Sequence, residues 1–587
     1  MKTNIDVVSI EADVLIIGGG LAGCMAAIKA TESGLKVAIA EKADTLASGC
    51  AGTGVDHMWA YIPEVHQAMG YTPEDMIDNH TKVVAGGFVN QDLLRLVVSE
   101  SYERMLDLEK FGLKFRFEDS KVPGKFRVVN QFHSVPDTFN FEGRRIKVNL
   151  TKTAKRKGVK IYNRVSMTEL LTSDDGHITG ALGIGTRDGK LYSFRAKAVV
   201  MSTGRVNRLT RNLTGVWGNY RLPASETGDG RAMAFRAGVP IINMEFLSPS
   251  RFSIGNYELN LGSPRNTTQP AGAVVDGENN IIVPRTEFYN WDKLGQPPVD
   301  VAAAMAAHRQ ANATNSVNYS QLLKEGRGPF YLDLTSGTED EIRYIEWSIS
   351  HEGKGQLFLE HLHNHMHFDF RKDKLEWLPN TREMAGMASS GLVVDKNMET
   401  SLKGLFAAGD EVGGMPWSAS PGAFTMGWRA GEMAAQEAYR QKQFFDVSPT
   451  HTDALGRLMQ RMTGNGHGHT WHEAEIAIQN IVDYYADHFR SEKMLQRGLH
   501  RLAELRDVID LRADSPHETG RCLEIRSLLE NAEMVLRGSL ERKESRRMPF
   551  GFTRADYPDT NDAEYFAFLS QRREGSAVRF AKINLAH

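Results

Sequence analysis

The chain has 587 residues, a formal net charge of −3 at pH 7, and 41% hydrophobic against 24% charged residues. That balance belongs to an ordinary globular protein, and at roughly 150 residues per domain the length allows three or four structural units. It excludes a disordered chain, a collagen-like repeat and a disulfide scaffold, and the near-neutral charge offers nucleic acid no electrostatic hold. The three cysteines, Cys24, Cys50 and Cys522, stand far apart with no C-x-x-C pair. The chain therefore cannot ligate an iron–sulfur cluster alone, and it reads as a protein of a reducing compartment.

The first residues, MKTNIDVVSIEADV, lack the basic start and apolar run of a secretory signal. The longest apolar stretch, Val14 to Ile28, is broken by Gly18, Gly19, Gly20 and Gly23. It falls short of the roughly 20 residues a membrane span needs. The expectation is a cytoplasmic protein that meets a membrane only through partners.

Val14 to Ile17 reads as a buried parallel strand, and Gly18-Gly19-Gly20-Leu21-Ala22-Gly23 follows it in the form G-x-G-x-x-G. A helix is predicted over Cys24 to Ala30 and a second strand over Leu35 to Ala40, with Glu41 at its end, 23 residues after Gly18. Glycines let a backbone approach a pyrophosphate, a helix start stabilises its charge, and the carboxylate accepts ribose hydroxyls. A glutamate there repels a 2′-phosphate, so the dinucleotide is of the FAD or NAD kind.

The next segment favours FAD. Ser48-Gly49-Cys50-Ala51-Gly52-Thr53-Gly54 is small enough throughout to lie against a flat ring and its ribityl chain. A strand ending in Ser202-Thr203-Gly204, and a later one ending in Gly409-Asp410, repeat the strand-to-cofactor form. Asp410 is placed to hold a ribityl hydroxyl or a phosphate-side water. Ser420-Pro421-Gly422-Ala423-Phe424 then opens a helix predicted over Thr425 to Ala435, whose first amides face the ring's polar edge.

These motifs together resemble the flavoprotein subunits of the succinate dehydrogenase/fumarate reductase family. The matching pieces are IIGGGLAG, Glu41-Lys42, ETGDGRAMAFRAGV (Glu226 to Val239), KEGRGPFYLDL (Lys324 to Leu334), GLFAAGDEVGG (Gly404 to Gly414) and LERKESRR (Leu540 to Arg547). Through them Lys42 and Asp229 join the implied cofactor contacts. The closer resemblance is to the catalytic subunit of adenylylsulfate reductase, on ASGCAGTGVDHMWAY (Ala47 to Tyr61), MEFLSPSRFSIGNY (Met244 to Tyr257) and EGRGPFYLD (Glu325 to Asp333).

The resemblance implies an α/β architecture, α+β overall. A Rossmann-like FAD-binding domain covers 1–245 and 376–440, with a capping domain, 246–375, inserted in it. A helical C-terminal domain, 441–587, follows, and its end from Arg546 reads as irregular and aromatic.

The departures from the family are as informative as the matches. Members with covalent flavin carry a His in the flavin loop, where this chain has Ala47-Ser48-Gly49-Cys50, so noncovalent FAD is expected. The dicarboxylate enzymes' H-P-T-G becomes Ser248-Pro249-Ser250-Arg251, and H-G-A-N-R becomes Met415-Pro416-Trp417-Ser418-Ala419. A family His falls on Gly386, and the proton-donating Arg maps onto Asn312 to Val317, which contains none. Succinate or fumarate turnover is not expected. Arg251 falls on the Arg that the adenylylsulfate branch sets near sulfate and phosphate, whereas that branch's flavin-loop Asn becomes Trp59.

Each candidate has a plain structural alternative. Arg251 is an oxyanion clamp or a tie between cap and FAD domain. Trp59 and Trp417 stack on substrate or ring, or merely pack. His57 is a proton carrier or a structural histidine. Glu245 reads as a buried ion-pair partner. The run His361-Leu362-His363-Asn364-His365-Met366-His367 puts four His on one face if it is a strand, and pairs His361 with His365 if it is a helix. A solvated or cap-lining face is the preferred reading, with no metal assigned.

The function expected is an FAD-dependent oxidoreductase that exchanges an electron pair with a small, anionic substrate beneath the cap. The resemblance also implies a partner, a ferredoxin-like [4Fe–4S] subunit. The alternatives are adenylylsulfate reductase proper, converting adenylylsulfate to sulfite and AMP, and a noncatalytic electron-relay flavoprotein.

Overall fold

The computed structural model describes residues 6–129, 137–211, 223–250, 253–254, 261–262, 272–284, 319–352, 355–377, 381–383, 389–444, 449–464, 466–546 and 551–585. Strand β1 (Val7–Ile17) runs parallel to β2 (Val37–Glu41) on one side and to the strand Leu191–Met201 on the other. Val14 to Ile17 are buried, as a continuous apolar run between two parallel neighbours requires. The strand begins seven residues earlier than Val14 because Val7 to Glu11 pair with Leu191 to Arg195. Those residues alternate in exposure, so no apolar run announces them.

The sheet continues outward from β2 to Lys160–Asn163. Beyond Leu191–Met201 it continues through antiparallel Ile178–Gly185 and Val165–Thr172. The last three residues of Leu191–Met201 also pair in parallel with Leu405–Ala407. Three parallel strands thus end side by side, and the loops after Ile17, Met201 and Ala407 open at one edge.

Helix α1 (Leu21–Thr31) covers this sheet and is crossed by the long helix Ala419–Arg440. A Cβ at Gly427 would lie 2.4 Å from the Ala22 carbonyl oxygen, and one at Gly431 would lie 2.2 Å from that of Ala26. Two glycines four apart therefore bring the backbones into contact. The long helix starts at Ala419, six residues before the sequence-based start. Pro421 sits in the first turn, where proline needs no hydrogen-bond partner, so Ser-Pro-Gly only imitates a turn.

The segment from Ala273 to Trp377, where a capping domain is expected, has its own core among the described residues. The strands Ala273–Val275, Ile281–Val283, Phe330–Asp333 and Leu375–Trp377 form an antiparallel sheet. The helices Glu339–His351 and Gly355–Asn364 back it, burying Val274, Leu332, Ile342, Ile345 and Leu362. The histidine run is helical up to Asn364 and not a strand. His361 and His365 stand with ring centroids 5.6 Å apart. Among the described residues no three His, Cys, Asp or Glu side chains are arranged to hold a metal ion.

The C-terminal part packs Trp471–Tyr485, Glu492–Val508 and Pro516–Glu541 together. It does not end irregularly. Ala567–Glu574 and Ala577–Asn584 form a hairpin turning at Gly575 (φ +60°), a tight turn that a residue free at positive φ permits. The first of these strands pairs with Ile241–Ile242, so the tail closes onto a strand from the first half of the chain. Among the described residues no helix is long and apolar enough to cross a membrane.

Candidate cofactor and substrate site

The loop after β1 is shaped by three glycines with different tasks. Gly18 has φ +95°, and a Cβ on it would come 2.5 Å from the Ser202 carbonyl oxygen. A Cβ on Gly23 would come 1.9 Å from the Gly18 carbonyl oxygen, so α1 rests directly on the turn. A Cβ on Gly20 would meet nothing within 4 Å, and Gly20 caps α1 without any side-chain hydrogen bond. The positive end of α1 therefore faces open space, as an anion requires.

Glu41 flanks this opening, largely buried. Its Oε2 accepts from the Gly19 amide at 2.6 Å and its Oε1 from the Ala43 amide at 2.7 Å, which leaves lone pairs for ribose hydroxyls. Ser48 donates through Oγ to the Gly19 carbonyl oxygen at 3.2 Å. A Cβ on Gly49 would lie 3.2 Å from Gly20 Cα. The Ser48-Gly49 segment, the expected flavin loop, is thus laid across the start of α1. Lys147, also buried, donates through Nζ to the same Gly19 carbonyl oxygen.

The other expected cofactor positions line up from there. A Cβ on Gly409 (φ +70°) would lie 3.0 Å from the Ala22 Cβ and 3.8 Å from Ala423. Farther along, Ser420 donates through Oγ to the His57 carbonyl oxygen at 3.0 Å. The helix starting at Ala419 has no side-chain cap and no acid in its first turn, so its positive end is also uncompensated. Trp417 and Ala419, just before and at that start, hold φ values of +58° and +45°. Left-handed backbone at non-glycine residues is strained and persists where surroundings impose it. Part of that imposition is visible: Trp59 Nε1 donates to the Trp417 carbonyl oxygen at 3.0 Å. Trp59 itself is 1% exposed, its ring 5.4 Å from that of buried His80.

Several expected contacts are engaged within the protein. Lys42 Nζ donates to Asp229 Oδ2 at 2.6 Å, to Thr227 Oγ1 at 3.0 Å and to Glu524 Oε1 at 3.0 Å. Burial opposes the Lys42 ammonium, but the two carboxylates outweigh it and hold its pKa above the ordinary value. Asp410 Oδ2 accepts from Arg205 Nε at 2.5 Å, so any ribityl hydroxyl there shares the carboxylate with a guanidinium. Thr203 donates from its amide to Glu411 at 2.7 Å, and a Cβ on Gly204 would lie 3.2 Å from the Glu226 carboxyl. Gly52 lies within its own turn, Thr53 is exposed and Phe424 is buried. Gly54 meets the end of the helix Glu339–His351: a Cβ there would come 2.5 Å from the His351 carbonyl oxygen. Arg251, Gly386 and 312–317 lie outside the described residues.

Cys50 is not an incidental thiol. Its Sγ donates to Glu226 Oε1 at 3.1 Å, and Asn207 Nδ2 donates to Glu226 Oε2 at 3.1 Å. Burial pushes the Glu226 carboxyl up to about 7, against the pull of Arg205. Burial and then Glu226 push the Cys50 thiol up, so it stays neutral.

The donor set fits FAD: an uncapped helix start facing a glycine opening, a carboxylate beside it, and a second uncapped helix start along the same line. Residues 13–276 match the FAD binding domain model, and 475–585 match that of the fumarate reductase flavoprotein C-terminus. The chain thus carries an FAD-binding domain and a C-terminal part similar to those of the succinate dehydrogenase/fumarate reductase flavoproteins. This flavoprotein is 26% identical to one of the subunits of the fumarate reductase (CoM/CoB) of Methanothermobacter marburgensis, over 96% of this chain and 97% of that one. Its fold matches that of an adenosine-5-phosphosulfate reductase in complex with sulfite, with a TM-score of 0.83 at 24% identity over 100% and 98% of the two chains. E. coli quinol fumarate reductase matches at 0.77 and 19%, over 98% and 97%. The flavoprotein is an FAD-dependent oxidoreductase.

Sequence reasoning passed over Arg205, Glu226, Glu411 and Lys147. The first two lie in or beside quoted motifs, Arg205 directly after Gly204 and Glu226 at the head of ETGDG. A charged residue where backbone must come close to a cofactor was the available signal. Lys147 carries none, since its burial against Gly19 follows only from tertiary packing.

Proposed function

We propose that this flavoprotein exchanges an electron pair between a small anionic substrate and an iron–sulfur partner subunit, with FAD held noncovalently. The observation that carries this reading is the hydrogen bond from Ser420, in the first turn of the helix Ala419–Arg440, to the His57 carbonyl oxygen, which sets the strand bearing His57 against that uncapped helix start. FAD supplies the redox chemistry there. The protein supplies orientation and the proton: His57 exchanges a proton with the substrate atom that gains or loses the electron pair. The amides at Ala419 and Ser420 favour negative charge on the ring's polar edge. Arg251, by its sequence position, orients the anion. Residues 1–245 with 376–440 act as the FAD-binding domain, 246–375 as the cap and 441–587 as the C-terminal domain.

Relatives that are named as subunits support the partner, and with three scattered cysteines here a cluster would sit on that other chain. The test is rapid mixing of the reduced protein with a panel of small oxidised anions that includes fumarate and adenylylsulfate. Saturable reoxidation by one class of anion, slowed about tenfold or more in H57Q, supports the reading. Reoxidation that never saturates, at equal rates in wild type and H57Q, contradicts it and favours an electron relay.

A further inference from the structure

Asp56 is fully buried at the head of β3 (His57–Trp59), and its Oδ1 lies 2.5 Å from His57 Nδ1. Its other oxygen, Oδ2, accepts from Ser348 Oγ. Ser348 is also fully buried, and it belongs to the cap helix Glu339–His351, 292 residues away in sequence. The same face of that helix makes two more contacts with the FAD-binding part. Tyr344 OH donates to Asn140 Oδ1 at 2.6 Å, while Asn140 Nδ2 donates to the Asp56 carbonyl oxygen at 3.2 Å. The His351 carbonyl oxygen covers Gly54. Positions 344, 348 and 351 are spaced four and three apart, the repeat of one helix face.

We propose that Asp56 and Ser348 are positioning residues for His57, and that seating the cap helix on the strand His57–Trp59 sets the imidazole for proton transfer. The inference rests on His57 as the proton carrier of the proposed function. A buried carboxylate on Nδ1 fixes the tautomer and stabilises the imidazolium. Proton exchange is thereby directed to Nε2. The step is a proton transfer only: the Nε2–H bond breaks, the proton passes to the substrate atom receiving the electron pair, and the neutral imidazole recovers a proton from water. Ser348 donates to the carboxylate oxygen remote from the ring, so the carboxylate is held from both sides only while the cap is down. A lifted cap frees Asp56 to rotate and blurs the imidazole's orientation. Among the described residues, the charged and titratable groups near the pair include Tyr344 and His351 from the cap helix, Arg144 beside Gly54, and Arg127, whose guanidinium stacks 4.5 Å from the Trp347 ring centre. Burial pushes the Tyr344 phenol up, so it stays a neutral donor to Asn140.

The experiment uses the FAD-loaded full chain labelled with 13C at histidine Cε1, with the His57 resonance assigned by its loss in H57Q. The wild type is expected to show one His57 line that titrates as a single group. D56N is expected to lower the His57 pKa by about one unit or more, a tenfold change in proton affinity. S348A is expected to broaden or split that line and to speed amide exchange about tenfold across both 56–59 and 339–351, and S348T is expected to restore both. A His57 pKa unchanged in D56N overturns the role of Asp56. Faster exchange confined to 339–351 in S348A, with the His57 line unmoved, overturns the coupling, and this arm stands if D56N does not fold. H57Q without effect on anion-driven reoxidation would fail the proposed function and leave these spectra to judge the positioning.

Discussion

Buried Glu226 and Arg205 meet half-buried Cys50 and Asp410, and among them the carboxyl of Glu226 is the group whose charge changes near neutrality. Its folded-state pKa is raised, from 4.5 to about 7, because burial disfavours the anion more than Arg205 favours it. A raised value means that the folded state binds the proton more tightly than the unfolded chain does. The contribution to stability is therefore complete below about pH 4.5 and is lost as pH climbs through about 7. Gln in place of Glu226 imitates the protonated acid and does not titrate. Wild type should therefore lose stability relative to E226Q between about pH 5 and pH 7.5, on the order of 3 kcal/mol. Thermal melts of both proteins across that range check it; parallel pH profiles contradict it. The same corner shows a limit of sequence reading. Cys50 was placed in the flavin loop from its small neighbours, but its partner Glu226 is 176 residues away, a contact that no local pattern encodes.

The contact between α1 and the helix Ala419–Arg440 brings the second helix start to the cofactor line. It depends on Gly431, where a Cβ would stand 2.2 Å from a backbone oxygen that cannot step aside. G431V should force the helices apart, cost about 3 kcal/mol or more, and empty the protein of FAD on gel filtration. Melting temperature and the ratio of flavin to protein absorbance measure both effects, and a variant that keeps its FAD and its melting temperature contradicts the argument. The elements on either side of that crossing were unequally legible. The strand–glycine–helix–strand unit from Val14 to Glu41 was readable because each residue there answers one local demand. The early part of β1 was hidden by its half-exposed alternation, and the start of the long helix by Ser-Pro-Gly in its first turn. The tail hairpin is not legible because its first strand is held in the sheet by pairing with Ile241–Ile242, far away in the chain.

At the scale of the whole molecule, the C-terminal part is tied to the FAD-binding part by buried charge. Arg542 donates through Nε to Glu245 Oε1 at 2.7 Å, with both side chains fully buried. Glu524 on the helix Pro516–Glu541 reaches Lys42, and Asn531 donates to the Gly228 carbonyl oxygen at 3.0 Å. Glu245 is legible as an ion-pair partner because a carboxylate among apolar neighbours needs one, although it stands in the turn after Ile241–Ile242 and not in the expected strand; which arginine supplies the partner is not legible. The cofactor was legible for a related reason, since dinucleotide binding is written in contiguous loops. Contacts between segments far apart in the chain, such as Ser348 with Asp56, leave weaker marks. The most direct test of the account is acid precipitation of the purified protein, with flavin measured in supernatant and pellet. The account predicts a colourless pellet and about one FAD per chain in the supernatant; flavin retained in the pellet, or no stoichiometric FAD in either fraction, would contradict it.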